Sequence, residues 1–109
     1  MPRPRRCRRV GFQPNINYFK PAGVRLLDLE ESKLTIEELE AVRLNDLLEL
    51  DQIESAKKMN ISQPTFHRLL IEARKKIANA LINGKAIKIE GGNFKFSKGF
   101  GRRHRRPDT

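Results

Sequence analysis

Apolar positions recur at helical spacing through the middle of the chain. Near both ends they alternate with polar residues instead. Behind Thr35, the residues Ile36, Leu39, Val42, Leu44, Leu47 and Leu48 form a broad apolar face. Thr35 and Glu38 fit a capping box, in which each side chain satisfies an orphan N–H of the first turn. Glu37, Glu38 and Glu40 enrich the amino-terminal end of this helix, where the helix dipole favours carboxylates. A second box, Asp51 with Glu54, opens a helix from about Gln52 to Met59, with Ile53, Ala56 and Met59 expected inward. A helix this short depends on tertiary packing. Asn60 follows, a residue that tolerates the left-handed conformation of a sharp helix exit, and Ile61 is expected to tuck into the core across the turn. Ser62 then caps a third helix, and Pro64 sits in its first turn, where the missing N–H costs nothing. Phe66, Leu69, Leu70, Ala73, Ile77, Ala80 and Leu81 carry the apolar face to about Ile82, and Asn83-Gly84 is a terminator.

The flanks read differently. Residues 1–9 hold five Arg and two Pro without apolar periodicity, which predicts a flexible basic arm. Residues 10–34 form an extended and turn segment, with short strands at Val10 to Phe12 and Asn17 to Phe19 and a turn over Lys20-Pro21-Ala22-Gly23. KAIKIE and NFKF alternate around Gly91-Gly92, which predicts a short β-hairpin within 84–97, and 98–109 reads as a second basic tail. The expected fold is therefore mainly α: a three-helix helix-turn-helix domain over 35–83, with a C-terminal β-hairpin and basic tails.

Charge changes the picture more by its distribution than by its sum. The 109-residue chain carries 23 Lys and Arg against 13 Asp and Glu, a net +10 that favours a polyanionic partner. Residues 28–54 are nonetheless net −8, and residues 55–83 that follow are net +5. Such a domain can turn one face to nucleic acid and the other to solvent or protein. Cys7 is the only cysteine, an ordinary thiol with no disulfide or thiolate-metal partner. No apolar run approaches the roughly 18 residues of a membrane span, and none marks a signal peptide, so the expected location is cytoplasmic. No metal, triad or phosphate-loop pattern surrounds His67, His104 or the glycines, so neither an enzyme nor a cofactor is expected.

The chemistry concentrates in residues 50–76. Ala56 offers the small side chain that two closely crossing helices need. Met59, Ile61, Phe66 and Leu69 are apolar plugs before, within and after the turn. A recognition helix presents its amino-terminal residues to base edges in the major groove. Gln63, His67 and Arg68 are the base-reading candidates, because Gln pairs bidentately with adenine and Arg with guanine. Ser62 and Thr65 are candidates for backbone or methyl contacts, and Lys57, Lys58, Arg74, Lys75 and Lys76 for phosphates. Arg3, Arg5, Arg6, Arg8 and Arg9 of the arm are expected to attract duplexes without reading them.

These stretches also carry a resemblance. CRRV (7–10), YFKPAG (18–23), residues 34–66 and EARKKIANALINGKAIKIEGG (72–92) resemble the uncharacterised protein family numbered 0251, a domain of unknown function described as predicted DNA-binding proteins. The family's helical part is similar to the fourth, promoter-reading region of bacterial sigma factors, with Asn60 where Gly is frequent and Asp51 where Ser is frequent. The resemblance implies sequence-specific double-stranded DNA binding by Ser62, Gln63, Thr65, His67 and Arg68, and a role in transcription regulation. Two other readings stand beside it. One is an RNA- or ribosome-associated basic protein, from the arginine-rich ends. The other is a polymerase-binding accessory, from the acids Glu37, Glu38, Glu40 and Asp46. A homodimer is a further expectation, since two-fold pairing doubles a small footprint, with residues 86–96 supplying an edge strand.

Overall fold

The computed structural model describes residues 8–92 and 94–96. Its elements in chain order are β1 (Arg8–Val10), β2 (Tyr18–Phe19), β3 (Glu31–Leu34), α1 (Ile36–Val42), α2 (Gln52–Met59), α3 (Gln63–Asn83), β4 (Ala86–Ile89) and β5 (Phe94–Phe96). A 3-10 turn, Leu26–Asp28, joins β2 to β3, and a π-helical turn, Arg43–Leu47, extends α1. The fold is mixed α/β, not mainly α. The strand that tips the balance is β3: its sequence ESKL buries only Ser32 and Leu34, too few apolar residues to stand out as a strand.

The three helix starts form for local reasons. Thr35 Oγ1 accepts from the Glu38 N–H at 3.1 Å, and Glu38 returns a carboxylate to the Thr35 N–H at 3.0 Å, closing the capping box. Asp51 accepts from the Glu54 N–H at 2.8 Å, and Ser62 from the Thr65 N–H at 3.3 Å. Asn60 takes left-handed dihedrals (φ 61°, ψ 44°) that end α2, and Gly84 (φ 68°) ends α3.

The core lies along α3. Its first half packs Phe66 and Leu70 with Ala41, Leu44, Ala56 and Met59, with Ile61 and Leu69 at the margin. Its second half packs Ala73 with Leu34 and Ile89, flanked by Ile36, Leu39, Ile77 and Ile87. Four expected core positions are exposed. Leu47 ends the π turn and Leu48 caps it, and the wider winding rotates them off the face that buries Leu44. Ile53 stands outside the inward arc of α2, which Ser55, Ala56 and Met59 fill; at about 100° per residue it lies roughly 110° from that arc's centre. Leu81 lies past the last core layer.

The expected hairpin does not form. β4 runs in the middle of a three-stranded sheet, antiparallel to β2 and parallel to β3. β5 instead pairs in parallel with β1, Arg8 opposite Phe94. Gly91 and Gly92 both have positive φ, but they carry the chain past the start of α1, where the Ile36 N–H donates to the Gly91 carbonyl at 3.0 Å. A Cβ on Gly92 would stand 3.1 Å from Glu37 Oε1. Because β4 has a neighbour on both sides, residues 86–89 offer no free edge for pairing with a second chain. The basic tail over 98–109 lies outside the described residues, as do Cys7, Arg3, Arg5 and Arg6 of the arm. Arg8 and Arg9 belong to a strand rather than a flexible arm.

Candidate nucleic-acid interface

The helices α2 and α3 are joined by the three residues Asn60-Ile61-Ser62. Gln63, His67 and Arg68 all stand exposed over the first two turns of α3, with Arg68 opposite the buried Phe66 and Leu70. The structure brings Gln63 and His67 together through a residue that sequence reasoning missed. Gln52, in the first turn of α2, places Oε1 3.2 Å from Gln63 Nε2 and 3.3 Å from His67 Nδ1. Gln63 donates to that oxygen. For His67 to do the same, its Nδ1 must carry the proton, which leaves Nε2 of the neutral ring as an outward acceptor. The signal for Gln52 was available: it is the first residue after a cap, and the turn that follows returns α3 beside it.

Ser62 and Thr65 serve the helix start first. Ser62 Oγ donates to Thr65 Oγ1 at 2.9 Å while it accepts the Thr65 N–H. The Thr65 hydroxyl therefore keeps its own proton to donate outward.

The predicted cations divide sharply. Lys76 is not on the exposed arc: its ammonium donates to both carboxylate oxygens of Glu38 at 2.7 and 3.0 Å, part-buried between α3 and α1. Arg74 forms a fork on Asp46, 2.6 Å at the shorter bond, and also reaches Asn45. The Asp46 bond raises its pKa. Arg8 is bonded to Glu37 at 2.6 Å, and Arg43 to Glu40 at 2.8 and 2.9 Å. Arg43 has its pKa raised, chiefly by that hydrogen bond. Glu40 also accepts the Gly11 N–H at 2.9 Å. Arg25, Lys33, Lys85 and Lys88 pair with carboxylates at the surface. Lys20 donates to the backbone carbonyls of Pro21 and Val24. Among residues 8–92 this leaves Arg9, Lys57, Lys58, Arg68 and Lys75 as cations with no hydrogen bond or ion pair to the protein. Four of these five belong to α2 and α3. Lys57 and Lys58 lie in the last turn of α2, and Arg68 and Lys75 lie on the exposed face of α3.

The same pairing removes a surface. Glu37, Glu38 and Glu40 are buried against Arg8, Lys76 and Arg43, and Asp46 is held by Arg74. Of the four acids that suggested a polymerase contact, Glu37, Glu38 and Glu40 are thus internal partners of the fold, while Asp46 stays at the surface beside Arg74. No described helix is long and apolar enough to cross a membrane.

Fold and site define a small mixed α/β protein in which two consecutive capped helices expose an unpaired cationic arc. Comparison with known proteins then gives the family. Residues 1–97 match the family model described as "Protein of unknown function DUF134". A UPF0251 protein of Syntrophomonas wolfei is 53% identical over 106 residues, 97% of this chain and 82% of that relative. One from Caldanaerobacter subterraneus is 58% identical over 95 residues, 87% of this chain and 80% of the relative. One from a Thermoanaerobacter species is 52% identical over 105 residues, 96% and 93% of the two chains. The chain belongs to this UPF0251, or DUF134, family. No solved structure matches it.

Proposed function

We propose that this protein binds double-stranded DNA sequence-specifically as a transcription regulator, with α2 and α3 acting as a helix-turn-helix related to region four of sigma factors. The observation that carries this reading is the sorting of the cations: among residues 8–92, all but one of those left without a protein partner lie on the two helices. Unpaired cations beside a rigid helix start are what a phosphate backbone takes up on binding. In this reading Gln63, His67 and Arg68 face base edges, and Gln52 orients the first two. The Thr65 hydroxyl, Lys57, Lys58 and Lys75 meet phosphates. Lys76 and Arg8 stay with their carboxylates and take no part.

Selection of genomic fragments by the purified protein at about 0.15 M salt tests the proposal. A common duplex site, bound at least about a thousandfold more tightly than random DNA, supports it. Equal affinity for all duplexes, or a preference for RNA, contradicts it.

A further inference from the structure

Five large apolar side chains are exposed at the end of the molecule where α3 stops. Phe19, Leu26, Leu27, Leu81 and Ile82 are between 52% and 81% exposed. Phe19 and Leu81 line one open cavity of about 280 Å³ with Pro21, Gly84 and Ile87. Leu26 and Leu27 lie in the connector between β2 and β3, which starts and finishes at this same end: Pro21 lines the cavity, and the Glu30 carbonyl accepts from the Ala86 N–H at 2.9 Å. At roughly 150–200 Å² for a whole side chain of this size, the five leave on the order of 600 Å² of apolar surface open. That sum reaches the upper end of what a typical monomer leaves open in its largest apolar patch, and such patches are often functional.

We infer that this end of the molecule is a homodimer interface, in which the exposed Leu81 and Ile82 of α3, with Phe19, Leu26 and Leu27, pack on a second copy of the chain. The area carries the choice of occupant. Two such patches face to face bury about 1,200 Å², the lower bound of a specific, stable interface, and a two-fold contact requires only that a patch complement itself. Lys20 and Lys85 also line the cavity, but Lys20 is bonded to the Pro21 and Val24 carbonyls and Lys85 is paired with Glu30, so neither is an unpartnered charge facing its own copy. This interface also differs from the strand-edge pairing expected of residues 86–96, which the central position of β4 forbids for residues 86–89. Since α3 has 21 residues, about 30 Å of helix separates this end from Gln63, so a dimer formed here leaves the exposed start of α3 open. The inference does not use the DNA reading, and its test contains no DNA.

The experiment is sedimentation equilibrium of the full chain over roughly 1–100 μM, a range suited to a concentration-dependent dimer. Wild type is expected to show the mass of two chains, and Leu27→Glu and Leu81→Glu the mass of one. Both substituted side chains are already largely exposed, so circular dichroism should show the variants folded. Leu47→Glu, an equally exposed apolar position elsewhere, should leave the dimer intact. A wild-type monomer throughout the range overturns the inference, as does a dimer that survives both substitutions at the α3 end.

Discussion

Lys75 and Lys76 are neighbours in sequence with opposite fates. Lys76 turns inward to Glu38, completing a part-buried pair that ties α3 to the capping box of α1. Lys75 turns to solvent and pairs with nothing described. The contrast extends to two regions. Around β1 and α1, Arg8, Arg43 and Lys76 are spent on Glu37, Glu40 and Glu38. On α2 and the exposed arc of α3, Lys57, Lys58, Arg68 and Lys75 are unspent. A net charge of +10 says that cations are in excess. Only the pairing says which ones a polyanion can recruit.

The largest expected effect comes from breaking the paired region. Glu40 is almost wholly buried and accepts from Arg43 and from the Gly11 N–H. Glu40→Ala leaves a guanidinium and an N–H without their acceptor, and should lower stability by about 2–4 kcal/mol. Urea unfolding measures this; a loss below about 0.5 kcal/mol would mean that the internal pairs do not hold the fold.

The next effect belongs to the unpaired region. Arg68→Ala should leave the unfolding midpoint unchanged and reduce discrimination between the selected site and its single-base variants by about 1–3 kcal/mol. Competition binding with those variants reads it, and undiminished discrimination removes Arg68 from the base-reading set.

Smaller effects sharpen the boundary between the regions. The Arg74–Asp46 pair is about half exposed, so Arg74→Ala should cost about 0.2–1 kcal/mol of stability, read by thermal unfolding. Ser55 is fully buried and its hydroxyl has no hydrogen-bond partner. Ser55→Ala should therefore be neutral or stabilising by up to about 1 kcal/mol, because it removes an unsatisfied polar group without opening a large cavity. A clear loss in the same assay would show that the hydroxyl has a partner in solution.

The sequence was most legible where structure is local. All three caps at Thr35, Asp51 and Ser62, the left-handed Asn60 and the bounds of α2 follow from residues within one or two turns. It was least legible where partners are distant. Nothing near Lys76 in the chain announces Glu38, 38 residues away, and nothing near Glu37 announces Arg8. The parallel pairing of β4 with β3 spans the whole helical region, whereas alternation around two glycines is a local signal that suggested a hairpin. The π turn has no sequence marker here, and it moved Leu47 and Leu48 outward. For the candidate interface, helix periodicity was enough to expose Gln63, His67 and Arg68. Separating Lys75 from Lys76 required the fold.

The central claim is that pairing, not charge, decides which cations serve the interface. The direct measurement is a salt titration of duplex affinity for wild type, Lys75→Ala and Lys76→Met, each restricted to conditions in which the variant is folded by circular dichroism. The account predicts that Lys75→Ala lowers the salt slope by about 1, while Lys76→Met leaves the slope at the wild-type value and changes stability instead. Equal loss of slope in both variants, or loss in Lys76→Met alone, would contradict it.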